Sequence, residues 1–159
     1  MSQVILLLGS NLGDKQQHLR NGIASLAARV SISDVSRIYN SAPFGGPAQP
    51  WFLNIAVRGA TRLEPIELLR FVKAIEKAEG RNDDEVRWGP RPLDIDIILM
   101  GGLVFRSPEL TIPHQSMAER RFCLVPVSEI APDLAVPPDG PTVRELLERC
   151  QDPLEVFPI

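Results

Sequence analysis

Residues 3–9, QVILLLG, form an unbroken apolar run that stops at GSNLGD. A run of that length with no polar alternation reads as a strand in the middle of a sheet, so the rest of the chain must cover it. After the turn, Leu19, Ile23, Leu26 and Val30 recur at helical spacing, with Asp14 near the positive end of the helix dipole. ISDVSRIY reads as a second strand, since Ile32, Val35 and Ile38 are β-branched residues among polar ones. NSAPFGGPAQPW is too rich in proline and glycine for regular structure. FLNIAVRGAT then reads as a third strand, with Leu53, Ile55 and Val57 on one side and Phe52, Asn54 and Ala56 on the other. Glu64 and Pro65 open a second helix, whose buried stripe is Ile66, Leu69, Val72 and Ile75 and whose end is Gly80. The loop RNDDEVRWGPR leads into RPLDIDIILM, a fourth strand, and GGLVF reads as a hairpin return from it. The remainder mixes short helices such as TVRELLERC with proline turns.

Strand, helix, strand, strand, helix, strand is the order of a ferredoxin-like βαββαβ core: an α+β fold with an antiparallel sheet and helices packed on it. The expected layout leaves one face of that sheet to the helices and the other to a ligand. The 159 residues fit one domain, 1–159.

The last core strand carries the chemistry. Alternate residues of an extended strand share a face at ~6–7 Å, so Asp94 and Asp96 project together while Leu93, Ile95 and Ile97 face the core. Two carboxylates that close repel unless a cation or donors compensate. Arg81, Arg87, Trp88 and Arg91 precede the pair, so acids and guanidiniums converge. Magnesium keeps several waters and shares its shell with phosphate oxygens, so two protein carboxylates beside oxyanion-binding arginines suit a nucleotide triphosphate. GSNLGD is neither of the common glycine-rich phosphate loops and reads as a strand-to-helix turn. His114 sits in a loop, where an imidazole can donate to an oxyanion, and His18 reads as a surface residue. Phe52 and Phe122 become a site only as a pair, able to sandwich a flat heterocycle.

A net charge of −3 and the lack of an apolar stretch of membrane-spanning length argue against a general nucleic-acid binder and a membrane protein. The N-terminal run is too short for a secretory signal, so the cytoplasm is the expected compartment. Cys123 and Cys150 fit neither a redox pair nor a zinc knuckle and read as reduced thiols.

Taken together, LGSNLGD, QPWFLN, RWGPRPLDIDI, LTIPH and EIAPDL resemble the 6-hydroxymethyl-7,8-dihydropterin pyrophosphokinase family over nearly the whole chain. The resemblance implies transfer of a pyrophosphoryl group from ATP to the hydroxymethyl group of the pterin, giving AMP and the pterin diphosphate, in tetrahydrofolate biosynthesis. It implies that Asp94 and Asp96 bind two Mg²⁺ ions that arrive with ATP, and that Arg81 and Arg91 hold the phosphates and act in catalysis. By the same resemblance Glu76, Trp88, Ile97, Thr111, His114 and Arg120 complete the ATP site, Trp88 within a loop that closes over the nucleotide. Ser41, Pro43, Phe44, Phe52, Asn54 and Phe122 correspond to the pterin site. Asp83 and Glu109 stand where many members carry basic residues, while Ser41 for Thr and Phe52 for Tyr keep the hydroxyl and the ring. A monomer is expected.

Two rival readings are a metal-dependent nucleotidyltransferase, which would release pyrophosphate rather than AMP, and an RNA-binding sheet module. The acidic charge and the missing RNP-type aromatic motif oppose the second.

Overall fold

The computed structural model describes residues 1–43, 48–80 and 90–159. In chain order its elements begin β1 (Ser2–Ser10), α1 (Lys15–Leu26), β2 (Val30–Val35), β3 (Tyr39–Ser41), β4 (Phe52–Thr61) and α2 (Pro65–Ala78). There follow β5 (Asp94–Met100), β6 (Phe105–Arg106), β7 (Thr111–Ile112), a 3-10 turn (Met117–Glu119), α3 (Arg121–Ile130), α4 (Val143–Arg149) and β8 (Val156–Pro158).

The apolar run lies at the centre of the sheet. β1 pairs antiparallel with β4 on one side and β5 on the other. β2 and β3 continue the sheet beyond β4, also antiparallel, and β8 closes its far edge against β3. Val4, Leu6 and Leu8 point into a core with Leu19 and Leu26 of α1 and Leu68, Val72 and Ile75 of α2. Each fully buried side chain of this kind stabilises the fold by about 1.5–3 kcal/mol, so alternation along β1 fixes which residues face the helices. Both helices carry their start signals. The Asp14 carboxylate accepts the Gln17 N–H at 3.1 Å, and Glu64 and Glu67 form a capping box with Pro65 in the first turn.

Four expectations need correction. The second strand is two short ones, β2 and β3, because Ser36 turns its N–H and hydroxyl to Ala56 and Arg37 instead of continuing the ladder. Val30 belongs to β2 rather than the helical stripe. GGLVF does not return along β5: Phe105 and Arg106 pair with Ile112 and Thr111 in a separate two-stranded sheet. The sheet face opposite α1 and α2 is not left open along its length. Cys123, Leu124 and Val127 of α3, with Val143 of α4, pack there on Ile5, Leu7, Ala56, Ile98 and Leu99. Among the described residues, the end of this face near Gly9, Asn54 and Asp94 is left uncovered by α3 and α4 and lines a cavity.

Candidate active site

Strand pairing sets the site's floor. Asp94 lies opposite Gly9, and Gly9 opposite Asn54, so the three form one row across β5, β1 and β4. Two strand spacings put the acid and the amide roughly 10 Å apart. Asp96 lies opposite Leu7 on the same face, while Ile95 and Ile97 turn into the core under α2.

A bulge completes this end of β5. The pairing steps from Ile5–Leu99 to Leu6–Ile97, leaving Ile98 as the extra residue. Ile98 and Leu99 therefore both face the α3 layer. The carbonyl of Ile98 accepts the His114 N–H at 2.9 Å, which anchors the imidazole beside the acids. The Ser116 N–H donates to His114 Nδ1 at 3.2 Å, so that nitrogen carries the lone pair and Nε2 the proton. Burial lowers the pKa of His114, with Arg120 acting the same way against the raising influence of Asp94. It stands as a neutral donor near neutral pH.

Two cavities meet here. One, of about 380 Å³, is lined by Ser41, Phe52, Asn54 and Phe122 together with Arg91 and Arg120. The second, of about 470 Å³, runs along the outer edge of β5 past Lys73, Glu76, Ile97 and Thr111. Asp94, Asp96 and His114 line both. The first can hold a flat ring against two phenylalanines, and the second can hold a longer, polar molecule. Their common wall is acidic, with guanidiniums beside it.

Asn54 and Ser41 are buried, and the Asn54 amide donates to the Ser41 hydroxyl. Ala42 forms part of the adjoining wall, with Pro43 next to it in the chain. Glu76 on α2 is a buried carboxylate that accepts the Ile95 N–H at 2.7 Å, so it caps the outer edge of β5 as well as lining the second cavity. Phe44, Arg81 and Trp88 lie outside the described residues.

Sequence reasoning passed over several residues. Gly9 had been read only as the start of a turn, yet a Cβ there would sit 2.8 Å from Asn54 Oδ1 and 3.4 Å from the Phe52 ring. Asn11, in the same turn, is almost fully buried. Its amide donates to Gln49 Oε1 at 2.7 Å and the Pro50 carbonyl at 3.0 Å. Its Oδ1 accepts the Arg91 N–H at 2.7 Å, and its own N–H donates to the Arg91 carbonyl at 3.0 Å. The signal was an amide side chain amid a glycine turn. Lys73 brings a cation to the second cavity, which Glu109 also lines, and only helical phase could have placed it there. His18 is not merely on the surface: its Nδ1 meets Glu79 at 2.7 Å, joining α1 to the end of α2. Cys123 lines the first cavity, but burial, helped by the Asp96 charge, raises its pKa and keeps the thiol protonated.

The chain resembles known proteins over most of its length. A profile described as 7,8-dihydro-6-hydroxymethylpterin-pyrophosphokinase (HPPK) matches residues 5–132. A Methylorubrum extorquens protein named 2-amino-4-hydroxy-6-hydroxymethyldihydropteridine pyrophosphokinase is 44% identical over 151 residues, 94% of each chain. A Bacillus subtilis protein of the same name is 44% identical over 127 residues, covering 79% of this chain and 75% of its own. Among solved structures, an HPPK-DHPS in complex with substrates superposes with a TM-score of 0.72 at 13% identity, over 93% of this chain and 43% of the other. That likeness speaks for the fold, and the chain spans under half of the solved protein's length. Identity and coverage together place this chain in the 7,8-dihydro-6-hydroxymethylpterin-pyrophosphokinase family.

Proposed function

We propose that this chain transfers pyrophosphate from ATP to the hydroxymethyl group of 6-hydroxymethyl-7,8-dihydropterin, with the pterin in the first cavity and ATP in the second. The observation that carries the reading is the shared wall of Asp94, Asp96 and His114, which brings the ends of two ligands together. Phe52 and Phe122 stack on the pterin, and Asn54 and Ser41 read its edge. An analogue without the matching polar atoms would leave a buried amide unpaired, which is the source of selectivity.

The acceptor oxygen attacks the β-phosphorus. An O–P bond forms, the bond from the β-phosphorus to the oxygen bridging it to the α-phosphorus breaks, AMP leaves with that oxygen, and the hydroxyl proton passes to solvent. Arg91, Arg120 and the neutral His114 lie where they can hold phosphate oxygens, so the chain's contribution is positioning and charge compensation rather than a nucleophile. Arg81 and Trp88 belong to the same reading, as do Pro43 and Phe44 at the pterin loop. Glu76, Ile97 and Thr111 form the wall for the nucleoside.

Among the described residues no group of three or more His, Cys, Asp or Glu side chains converges to hold a metal. Two carboxylates are a donor set suited to Mg²⁺ that keeps waters and phosphate oxygens as its other ligands, so Asp94 and Asp96 fit two such ions arriving with ATP. Bound there, Mg²⁺ neutralises charge on the phosphates. The strand order β5, β1, β4, β2 supports a ferredoxin-like core.

The test is incubation with ATP, Mg²⁺ and the hydroxymethyl pterin, followed by separation of nucleotides. AMP and the pterin diphosphate are expected. Pyrophosphate release with a nucleotidylated acceptor would replace this reading with the nucleotidyltransferase one. Asp96→Ala should lower AMP formation by about 100-fold or more while the melting temperature holds. Near-normal turnover in that variant would remove the acid from the proposed role.

A further inference from the structure

The C-terminal strand lies outside the stretch that matches the family profile, yet it pairs with β3 and packs on Trp51, next to Ser41, Ala42 and Phe52 of the first cavity. β3 has three residues, and a strand that short paired along a single edge is marginal. β8 supplies the second edge. Tyr39, Asn40 and Ser41 face Pro158, Phe157 and Val156. The Ala42 N–H donates to the Glu155 carbonyl at 3.1 Å and the Ile159 N–H to the Ile38 carbonyl at 3.0 Å. Antiparallel alternation then makes Asn40 and Phe157 a hydrogen-bonded pair and leaves Pro158 where no N–H is needed. It also puts Val156 in a close, non-bonded pair with Ser41, the residue that accepts from the Asn54 amide.

Trp51 is held by a ring. Phe157 lies 5.8 Å from Trp51, centroid to centroid, with the planes tilted by 54°. Trp51 precedes Phe52, and its carbonyl accepts the Lys15 ammonium at 3.1 Å. Phe157 itself is 42% exposed and belongs to neither core, so its packing contributes little to the fold as a whole.

We propose that β8 is a positioning strand for the pterin cavity, with Phe157 as the residue that fixes the chain at Ala42 and Trp51 and so sets affinity for the pterin alcohol. This rests on the pterin reading of the first cavity. Phe157 touches no substrate and acts through Ser41, Ala42 and Trp51.

Steady-state kinetics on the full chain, with each substrate varied in turn, test the proposal. Wild-type AMP formation in the same assay checks the underlying reading first, and its absence would fault that reading alone. Phe157→Pro removes both the ring and the strand N–H. It should raise KM for the pterin alcohol about ten-fold, a loss of roughly 1.4 kcal/mol, with KM for ATP within about two-fold of wild type. Phe157→Ala should give a smaller rise in the same direction, and Phe157→Tyr should restore the wild-type value. A pterin KM unchanged in Phe157→Pro, or KM values for both substrates rising together, would overturn the proposal. If Phe157→Pro fails to fold, equal pterin KM values for the Ala, Tyr and wild-type proteins would overturn it instead.

Discussion

Gly9 shows how much a single missing methyl group can decide. It sits between Asp94 and Asn54 in the row that forms the site's floor, and the Asn54 amide and the Phe52 ring close over it. In Gly9→Ala the new Cβ would push on Asn54 Oδ1 from 2.8 Å, so either the amide or the strand must shift. Overpacking of this kind costs about 1–3 kcal/mol, and here the cost falls on Asn54, the amide proposed to read the pterin. The expected result is a pterin KM raised about ten-fold or more with ATP affinity retained, measured by titrating each ligand separately. The two acids were legible from spacing alone, because strand geometry sends alternate residues to one face. Gly9 was not, because a glycine ending an apolar run looks the same whether it serves a turn or a ligand.

At the scale of elements, the least visible piece was α3. Pro126 inside it reads as a helix breaker, and its helical phase is masked by the prolines around it. The helix nevertheless supplies Phe122 to the cavity and Glu129 to the junction between β2 and β3. Glu129 accepts the Tyr39 hydroxyl and the Arg37 N–H, the latter at 2.8 Å, and pairs with the Arg37 guanidinium at 3.0 Å. Burial raises the Glu129 pKa, but the Tyr39 hydroxyl and Arg37 outweigh it, and the net shift is downward. A depressed carboxylate contributes stability that is present above its unfolded pKa and is lost as pH falls through the folded one. Glu129→Gln should therefore cost about 1–2 kcal/mol near neutral pH, and the gap to wild type should close on acidification below about pH 4. Thermal melts at pH 7 and pH 3.5 would check this, and a constant gap would refute it. The strands β1, β4 and β5 and the helices α1 and α2 were readable because their apolar periods are long and capped. The break between β2 and β3 was not, since it depends on hydrogen bonds between Ser36 and Ala56, nor was the pairing of β6 with β7, since each strand has only two residues and shows no period.

Across the whole molecule, one buried turn residue ties together segments far apart in the sequence. Asn11 joins Gln49 and Pro50 to Arg91 through four hydrogen bonds. Asn11→Ala removes three part-buried side-chain hydrogen bonds and should cost about 1–3 kcal/mol of stability. It should also weaken both substrates' binding and turnover together, unlike Gly9→Ala, and a kinetic comparison of the two variants would show the difference. A last consequence follows from the pleat of β5. Ile95 and Ile97 fill the layer beneath α2 while Asp94 and Asp96 face the opposite side. A shift of one residue would exchange the two sets, burying both charges in hydrocarbon and offering isoleucines to a triphosphate. Foldability and chemistry are therefore encoded in one counting rule, and this short segment can tolerate changes of letter far better than any insertion or deletion.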